Sequence, residues 1–202
     1  MRLATALMEH PLPYRLWMAP FADEKFAPIL AHNDMSRVRR VMDVGCGPGT
    51  NCPYFEKNDY LGVDFNAAYI EDARRRYKRK FVVADVCTFT ADAGERFDFV
   101  LLNSVLHHID RASTERILEH LGTLLTEDGH VHIVELVLPA EASLPRTLAR
   151  MDRGKFPRPL PEWQEIFNAS FEPVTLETFP LKRFGITLWQ QVYFKGKAKK
   201  AR

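Results

Sequence analysis

Short runs of apolar and β-branched residues alternate along this chain with stretches whose apolar positions recur at helical spacing. Such alternation is typical of a parallel sheet covered by helices. The run FDFVLLN is apolar enough to be a central strand that is buried on both faces. We predict an α/β fold with a doubly wound, mostly parallel seven-stranded sheet, helices on both faces and an antiparallel last strand. The predicted strands cover residues 38–44, 60–63, 81–84, 97–103, 130–137, 174–179 and 186–194.

Helices are predicted between these strands, after Thr50, over residues 67–77 and over a stretch with a single apolar stripe. Ser113 can cap the beginning of that stretch, and Gly129 is predicted to supply the turn that follows it. The stripe consists of Ile117, Leu118, Leu121, Leu124 and Leu125. Two further helices are expected over residues 143–152 and 162–168.

The length of 202 residues favours a single domain, which we place at residues 1–195. Residues 1–30 are predicted to form N-terminal cap helices. Five prolines interrupt residues 139–161, so this stretch is predicted to be an insertion over the strand ends. Residues 196–202 are expected to form a basic, disordered tail.

The formal net charge of +2 hides an uneven distribution. Five of the last eight residues are basic, so the rest of the chain carries 23 basic and 26 acidic residues, a net charge of −3. A body of that sign does not favour a nucleic acid partner. The tail is expected to be solvated, and weak contact with an anionic membrane surface is the alternative.

Other sequence features indicate a cytoplasmic protein. The chain has no apolar run of the about eighteen residues that a transmembrane helix needs, and its N-terminus lacks the features of a secretory signal. Cys46, Cys52 and Cys87 have no CxxC spacing, so neither a disulfide framework nor a zinc ribbon is expected. Free thiols in a reducing compartment are the expected state.

A glycine-rich loop, VMDVGCGPGTN, follows the first predicted strand. In this context glycine loops bind nucleotides. Gly45 and Gly47 permit a tight turn and a close approach of the backbone, whose N–H groups are expected to face the ligand. Pro48 has no N–H to offer where a pyrophosphate-binding loop would use one, which favours a ligand without a pyrophosphate.

Polar residues also end the next strands. Asp64 lies about twenty residues after the first glycine, the place of a carboxylate that binds ribose hydroxyls. Asp85 ends the third strand, where it can accept a hydrogen bond from an adenine amino group, and Asn103 and Ser104 end the fourth. Ligands of open α/β sheets bind at this edge. Turn or helix capping is the alternative role for either aspartate.

Together these motifs resemble the signature motifs of class I S-adenosylmethionine-dependent methyltransferases over residues 38–137. The resemblance implies S-adenosylmethionine as cofactor. Asp43 and the glycine loop would lie near its methionine part, Asp64 near the ribose, Phe65 and Val86 near the adenine, and Asn103 beneath the methionine part. The predicted cofactor-binding residues are Asp43, Gly45, Cys46, Gly47, Asp64, Phe65, Asp85, Val86, Asn103 and Ser104.

His107 and His108 are the candidate catalytic residues, because an imidazole beside the methyl donor can take a proton from an acceptor oxygen or nitrogen. A structural role in the turn is the alternative. No metal site is predicted, since two adjacent histidines supply too few ligands.

The expected reaction is transfer of a methyl group to O or N of a small, aromatic or lipophilic acceptor. Tyr14, Trp17 and Phe21 are candidate acceptor-binding residues, with packing as their alternative role, and Phe156 and Trp163 add aromatic character to the predicted cap. The alternative functions are a nicotinamide-dependent oxidoreductase, which Pro48 disfavours, and a non-catalytic S-adenosylmethionine-binding module. The sequence leaves the acceptor and the oligomeric state open.

Overall fold

The computed structural model describes residues 19–91, 94–152 and 154–199. Within these ranges one sheet has seven strands in the order β3-β2-β1-β4-β5-β7-β6, and β7 runs antiparallel to both of its neighbours. The predicted doubly wound, mostly parallel sheet with an antiparallel last strand is confirmed. The strands are β1 (Arg40–Val44), β2 (Asp59–Asp64), β3 (Lys80–Val83), β4 (Phe97–Asn103), β5 (Leu125–Val137), β6 (Phe171–Arg183) and β7 (Ile186–Ala198).

Helices cover both faces of the sheet. They are α1 (Ala22–Ala31), α2 (Ala67–Arg76), α3 (Arg111–Thr123), α4 (Leu144–Met151) and α5 (Leu160–Ser170), with 3-10 turns at Ala19–Phe21, Met35–Arg37, Cys52–Phe55 and Leu106–His108. Successive strand residues point to opposite faces, so Met42 packs in one apolar core with α3 and α5, whereas Val41 packs in the other with α1 and α2. No helix in the described ranges is long and apolar enough to cross a membrane.

Two predicted helix signals are wrong in detail. Asp110, not Ser113, caps α3, and its carboxylate accepts the backbone N–H of Ser113 at 3.0 Å. Gly129 does not form a turn but lies within β5, next to an irregularity in its pairing with β4. A Cβ at Gly129 would lie 2.8 Å from the carbonyl oxygen of Phe97, so glycine permits a close backbone approach there.

The closing antiparallel pair is longer than its apolar pattern predicts. β6 contains Pro173 and Pro180, which have no N–H to donate. Both are tolerated because β6 is the edge strand and pairs only with β7.

The predicted disordered tail is also wrong for its first residues. Gly196, Lys197 and Ala198 continue β7; all three pair with β6, and the first two also pair with β5. A Cβ at Gly196 would lie 2.6 Å from the ring of Phe194, so this glycine lets the strand pack closely over an aromatic core. The body of the domain therefore extends to Ala198.

Two truncations test where the folded domain ends. Deleting residues 199–202 should leave the melting temperature unchanged, whereas deleting residues 196–202 should lower it by about 2–8 °C, the effect of losing roughly 1–2 kcal/mol in a domain of this size. The longer deletion removes ladder pairs on both sides of β7. Thermal unfolding of both truncated chains beside the full chain measures the difference. Equal melting temperatures would show that residues 196–198 contribute nothing to stability.

Candidate active site

The carboxyl ends of β1 and β4 border a small pocket. Three elements meet there: the glycine loop after β1, the end of β4 and the N-terminal half of α1. The lining residues are Ala22, Lys25, Gly45, Cys46, Thr50, Asn51, Asn103 and Ser104. The structure thus brings together four predicted cofactor-binding residues, Gly45, Cys46, Asn103 and Ser104.

The N–H groups of the glycine loop do not face the pocket as predicted. Those of Gly45 and Cys46 both donate to the carbonyl oxygen of Val63, at 2.8 and 3.2 Å. The N–H of Gly47 donates to the Asp64 carboxylate at 2.9 Å. These three N–H groups are therefore hydrogen-bonded to the end of β2. The loop shapes the pocket, but these groups are not available to a ligand.

Glycine is required in the loop by conformation and by space. Gly45, Gly47 and Gly49 have φ values of 67°, 54° and 79°, in the left-handed region that favours glycine. A Cβ at Gly45 would lie 2.5 Å from the side chain of Val105, and one at Gly49 would lie 2.9 Å from the ring of Tyr77. Substitution would displace the wall of the pocket.

A chain of buried hydrogen bonds forms the floor of the pocket. The Ser104 hydroxyl donates to Asn103 Oδ1 at 3.2 Å, and Asn103 Nδ2 donates to Asn51 Oδ1 at 3.1 Å. Asn51 Nδ2 donates to the Asp43 carboxylate, which also accepts the Tyr60 hydroxyl at 2.6 Å. Burial raises the pKa of Asp43 to about 7, although these two donors oppose the rise. Asp43 thus lies below the pocket and acts on it through Asn51.

Lys25 extends this chain from the opposite wall. Its ammonium is buried and donates to the Ser104 hydroxyl oxygen at 2.8 Å. Ser104 has a φ of 61°, which is uncommon for a residue with a side chain and typical of functional sites. Burial lowers the pKa of Lys25 to about 8, and the carboxylates of Glu135 and Asp152 partly offset that effect. A cation with spare N–H donors therefore faces the pocket.

Thr50 provides a second unsatisfied group. Its hydroxyl oxygen is buried, lines the pocket and has no hydrogen-bond partner among the described residues. Buried polar groups are nearly always hydrogen-bonded. This orphaned hydroxyl fits a polar ligand such as the methionine part of S-adenosylmethionine.

Asp64 and Phe65 lie beside the pocket at the end of β2. One oxygen of the Asp64 carboxylate accepts the N–H of Gly47, and the other accepts the N–H of Asn66 at 2.8 Å. Burial raises the pKa of Asp64, against the effect of these two N–H groups. The ring of Phe65 is 81% exposed, which leaves its face available to an aromatic ligand.

Asp85 and Val86 follow β3, at the same edge but farther along. The Asp85 side chain is exposed, and its carboxylate accepts the N–H of Cys87 at 2.9 Å, a turn-capping contact. Val86 is half-buried and packs against the core. Asp64 and Asp85 therefore follow each other along this edge, at β2 and β3, as the sequence predicts.

His107 is not suited to act as a base. Its Nδ1 lies 2.7 Å from a Glu135 oxygen and its Nε2 lies 3.3 Å from an Asp152 oxygen. Burial alone would lower the pKa of His107, but the two carboxylates raise it to about 9. Each ring nitrogen of His107 thus lies beside a carboxylate. His108 is exposed, with its ring centroid 4.2 Å from that of His107.

Two of the aromatic residues behind the acceptor prediction, Phe21 and Trp163, pack in the interior and do not line the pocket. Phe21 is buried, with its ring edge-on to Trp189 at 5.3 Å. Trp163 is fully buried in the core, where its indole N–H donates to the Leu136 carbonyl at 2.9 Å. Tyr14 and Trp17 lie outside the described residues.

Sequence reasoning missed Lys25, Asn51 and Asp152 as residues of the site. Lys25 alone had a usable signal, since it lies directly before Phe26 on the apolar face of α1. Asn51 ends the glycine loop without a motif of its own, and Asp152 comes from the insertion.

Comparison with known proteins places this arrangement in a family. A family model described as a methyltransferase domain matches residues 14–172. A trans-aconitate 2-methyltransferase of Paracidovorax citrulli is 32% identical over 117 residues, which cover 54% of this chain and 44% of that protein. An uncharacterized methyltransferase of Mycobacterium tuberculosis is 34% identical over 106 residues, which cover 50% and 52%. The chain spans about half the length of these curated relatives.

Solved structures share the fold at low sequence identity. A Pyrococcus horikoshii protein matches with a TM-score of 0.69 and 16% identity, over 88% of this chain and 89% of that one. The N-methyltransferase NodS from Bradyrhizobium japonicum, in complex with S-adenosyl-L-homocysteine, matches with a TM-score of 0.64 and 14% identity, over 81% and 79%. Because the family model covers most of the chain, this protein belongs to the class I S-adenosylmethionine-dependent methyltransferases.

Proposed function

We propose that this methyltransferase transfers the methyl group to a small acidic acceptor, at a carboxylate oxygen. The observation that carries the proposal is the buried ammonium of Lys25 in the wall of the pocket. A buried cation is costly unless it is paired, and the pairing partner that best fits a pocket is an anionic ligand group.

The donor would occupy the edge formed by β1, β2 and β3. Asp64 would accept hydrogen bonds from the ribose hydroxyls, and Phe65 and Val86 would contact the adenine, with Asp85 near its amino group. Thr50 and the polar floor would hold the methionine part. In this arrangement, residues at the strand ends determine the affinity for the donor. Residues of α1 and of the insertion determine which acceptor binds.

The lining of the pocket favours an acidic acceptor over the aromatic or lipophilic one expected from sequence. Phe21 and Trp163 pack in the interior, so two of the five aromatic residues behind that expectation belong to the hydrophobic core. Asn51, Asn103 and Lys25 are polar or charged. Several curated relatives are named for methylation of trans-aconitate, a carboxylate, which agrees with this polarity.

An acidic acceptor removes the need for a protein base. S-adenosylmethionine supplies, when bound, a methyl group on a positively charged sulfur. A carboxylate oxygen carries its lone pair at neutral pH, so no proton has to leave before it accepts the methyl group. The protein then contributes positioning and desolvation, in which Lys25 orients the carboxylate and the floor fixes the opposite side. His107, whose nitrogens are both engaged, is compatible with this scheme.

Substitution of Asp64 tests the donor site. Asp64→Asn should weaken S-adenosylmethionine binding by on the order of 1.5–3 kcal/mol, about 10- to 150-fold, because a charge-assisted hydrogen bond becomes a neutral one. Asparagine keeps an acceptor for one of the two backbone N–H groups, those of Gly47 and Asn66, that bind the carboxylate. Calorimetric titration measures the affinity, and Asp85→Ala should lose less. Asp128→Asn, an exposed site at the beginning of β5, is the matched control. Unchanged affinity in Asp64→Asn would remove Asp64 from the donor site.

Substitution of Lys25 tests the acceptor. Lys25→Gln keeps a donor toward Ser104 and removes the charge, so KM for a carboxylate acceptor should rise by about tenfold or more, the effect of losing one charge-assisted hydrogen bond. The acceptors assayed are small di- and tricarboxylic acids, trans-aconitate among them. Lys57→Gln, at an exposed lysine, is the control.

Donor titrations of the same variant separate the two possible carboxylates. If Lys25 pairs with the acceptor, Lys25→Gln binds S-adenosylmethionine as tightly as the parent. If it pairs with the carboxylate of the donor, the variant loses affinity for S-adenosylmethionine but not for the decarboxylated analogue, and the acidic-acceptor proposal fails. Binding of the donor with no S-adenosylhomocysteine formed from any acceptor would indicate a binding module.

The lowered pKa of Lys25 predicts a pH dependence. Because the free enzyme has this pKa at about 8, the ammonium that pairs with a carboxylate is present below that pH and is lost above it. Log kcat/KM for the acidic acceptor should therefore be level below about pH 8 and fall with unit slope above it. Lys25→Gln should lack this ionisation. A profile of the variant that matches the parent would assign the ionisation to another group.

A further inference from the structure

Outside the pocket, three potential metal ligands from two separate segments lie together. The ligand atoms of His107, His108 and Asp152 all lie within 4.8 Å of one another. The Nε2 atom of His107 and an oxygen of Asp152 are 3.3 Å apart, a separation suited to two ligands that share one metal ion at about 2.0–2.2 Å from each. The two histidines that are adjacent in the sequence are too few ligands for a metal site, and Asp152 is the third.

The first of these ligands is fixed by its surroundings. Glu135 accepts the N–H groups of Val105 and Leu106, at 2.7 and 2.5 Å, and so holds the turn that carries the histidines. Its other oxygen binds Nδ1 of His107 at 2.7 Å, which sets the plane of the ring and directs Nε2 toward Asp152. Metal-binding histidines characteristically donate their second ring nitrogen to a carboxylate in this way.

The segment that carries Asp152 is fitted against the same ring. Gly154 donates its N–H to the Asp152 carboxylate at 2.8 Å, and Phe156 donates its N–H to the carbonyl oxygen of His107 at 3.0 Å. A Cβ at Gly154 would lie 2.1 Å from the His107 ring, so the close approach depends on glycine. The relative positions of Asp152 and His107 are therefore set by backbone contacts rather than by their own attraction alone.

We propose that His107, His108 and Asp152 bind a divalent transition-metal ion of the Zn²⁺ class, with Glu135 orienting His107. Two imidazole nitrogens and one carboxylate oxygen suit Zn²⁺ or Co²⁺ better than Mg²⁺, which prefers oxygen ligands and retains its water. Three protein ligands leave a coordination position open, and His108 lies at the exposed side of the cluster. The ion would tie the insertion to the end of β4.

An alternative explanation of the cluster needs no metal. An imidazolium at His107 satisfies Glu135 and Asp152 by itself, and in that case His108 is not needed as a ligand. The two explanations differ in what His108→Ala does to the affinity of the protein for Zn²⁺. Because His108 is exposed, this variant does not disturb the core.

Titration of the chelator-treated full chain with Zn²⁺ alone, followed by calorimetry, tests the proposal. The background is Cys87→Ser, because Cys87 is an exposed thiol that can bind zinc on its own. We expect one Zn²⁺ per chain with micromolar affinity or tighter, and no binding of Mg²⁺ under the same conditions. His108→Ala and Asp152→Asn should each weaken Zn²⁺ binding by at least tenfold. Co²⁺ should give the intense visible absorption of a low-coordinate site, and His108→Ala should lose it.

His32→Ala is the matched control, since His32 is another exposed histidine with a carboxylate partner, Glu177, at 3.2 Å. It should bind Zn²⁺ as tightly as the parent. The proposal is overturned if the parent binds no Zn²⁺, if His108→Ala binds it equally well, or if His32→Ala is weakened as much as His108→Ala. Circular dichroism of each variant confirms that it is folded. The test uses neither donor nor acceptor, so its outcome is independent of the proposed reaction.

Discussion

A buried carboxylate, that of Glu135, is the constraint on which the site depends. It has no exposed surface, and an unpaired charge in that position would be strongly unfavourable. Burial alone would raise its pKa, but His107 and the N–H groups of Val105 and Leu106 lower it. These contacts fix the turn after β4 and thereby the left-handed residue Ser104. The shape of the pocket and the position of the insertion both follow from satisfying one charge.

The two ends of the site are built by different physical means. At the glycine loop, the backbone determines the shape of the site. Gly45 lets the Val105 side chain approach, and the loop is hydrogen-bonded to the end of β2. At the other end, the determinants are side chains that work against desolvation, above all Lys25. A parallel sheet places glycine loops like this one at the ends of its strands. The buried Lys25 comes from α1, a helix whose position the sheet does not set.

This difference explains how much could be predicted from sequence. The strands and the positions of Asp64, Asp85 and Asn103 were predictable, because consecutive parallel strands end at one edge and each motif lies at its own strand end. Lys25 and Asp152 were not, because their roles come from contacts between distant segments. Trp163 is the opposite case. Its position next to prolines predicted a residue of the substrate cap, but its side chain is fully buried in the core. Local patterns report burial less well than they report the end of a strand.

The insertion is therefore not an independent lid over the pocket. Its second half is pinned to the turn after β4: Arg158 donates to the carbonyl oxygens of Leu106 and Ile109, at 3.2 and 2.7 Å, and its guanidinium lies 4.7 Å from the ring of Trp163. The same turn is held from below by Glu135. A movement of the insertion must break these contacts with the turn that follows Ser104, the residue to which Lys25 donates. Residues 139–161 and the turn at the edge of the pocket are thus joined by hydrogen bonds.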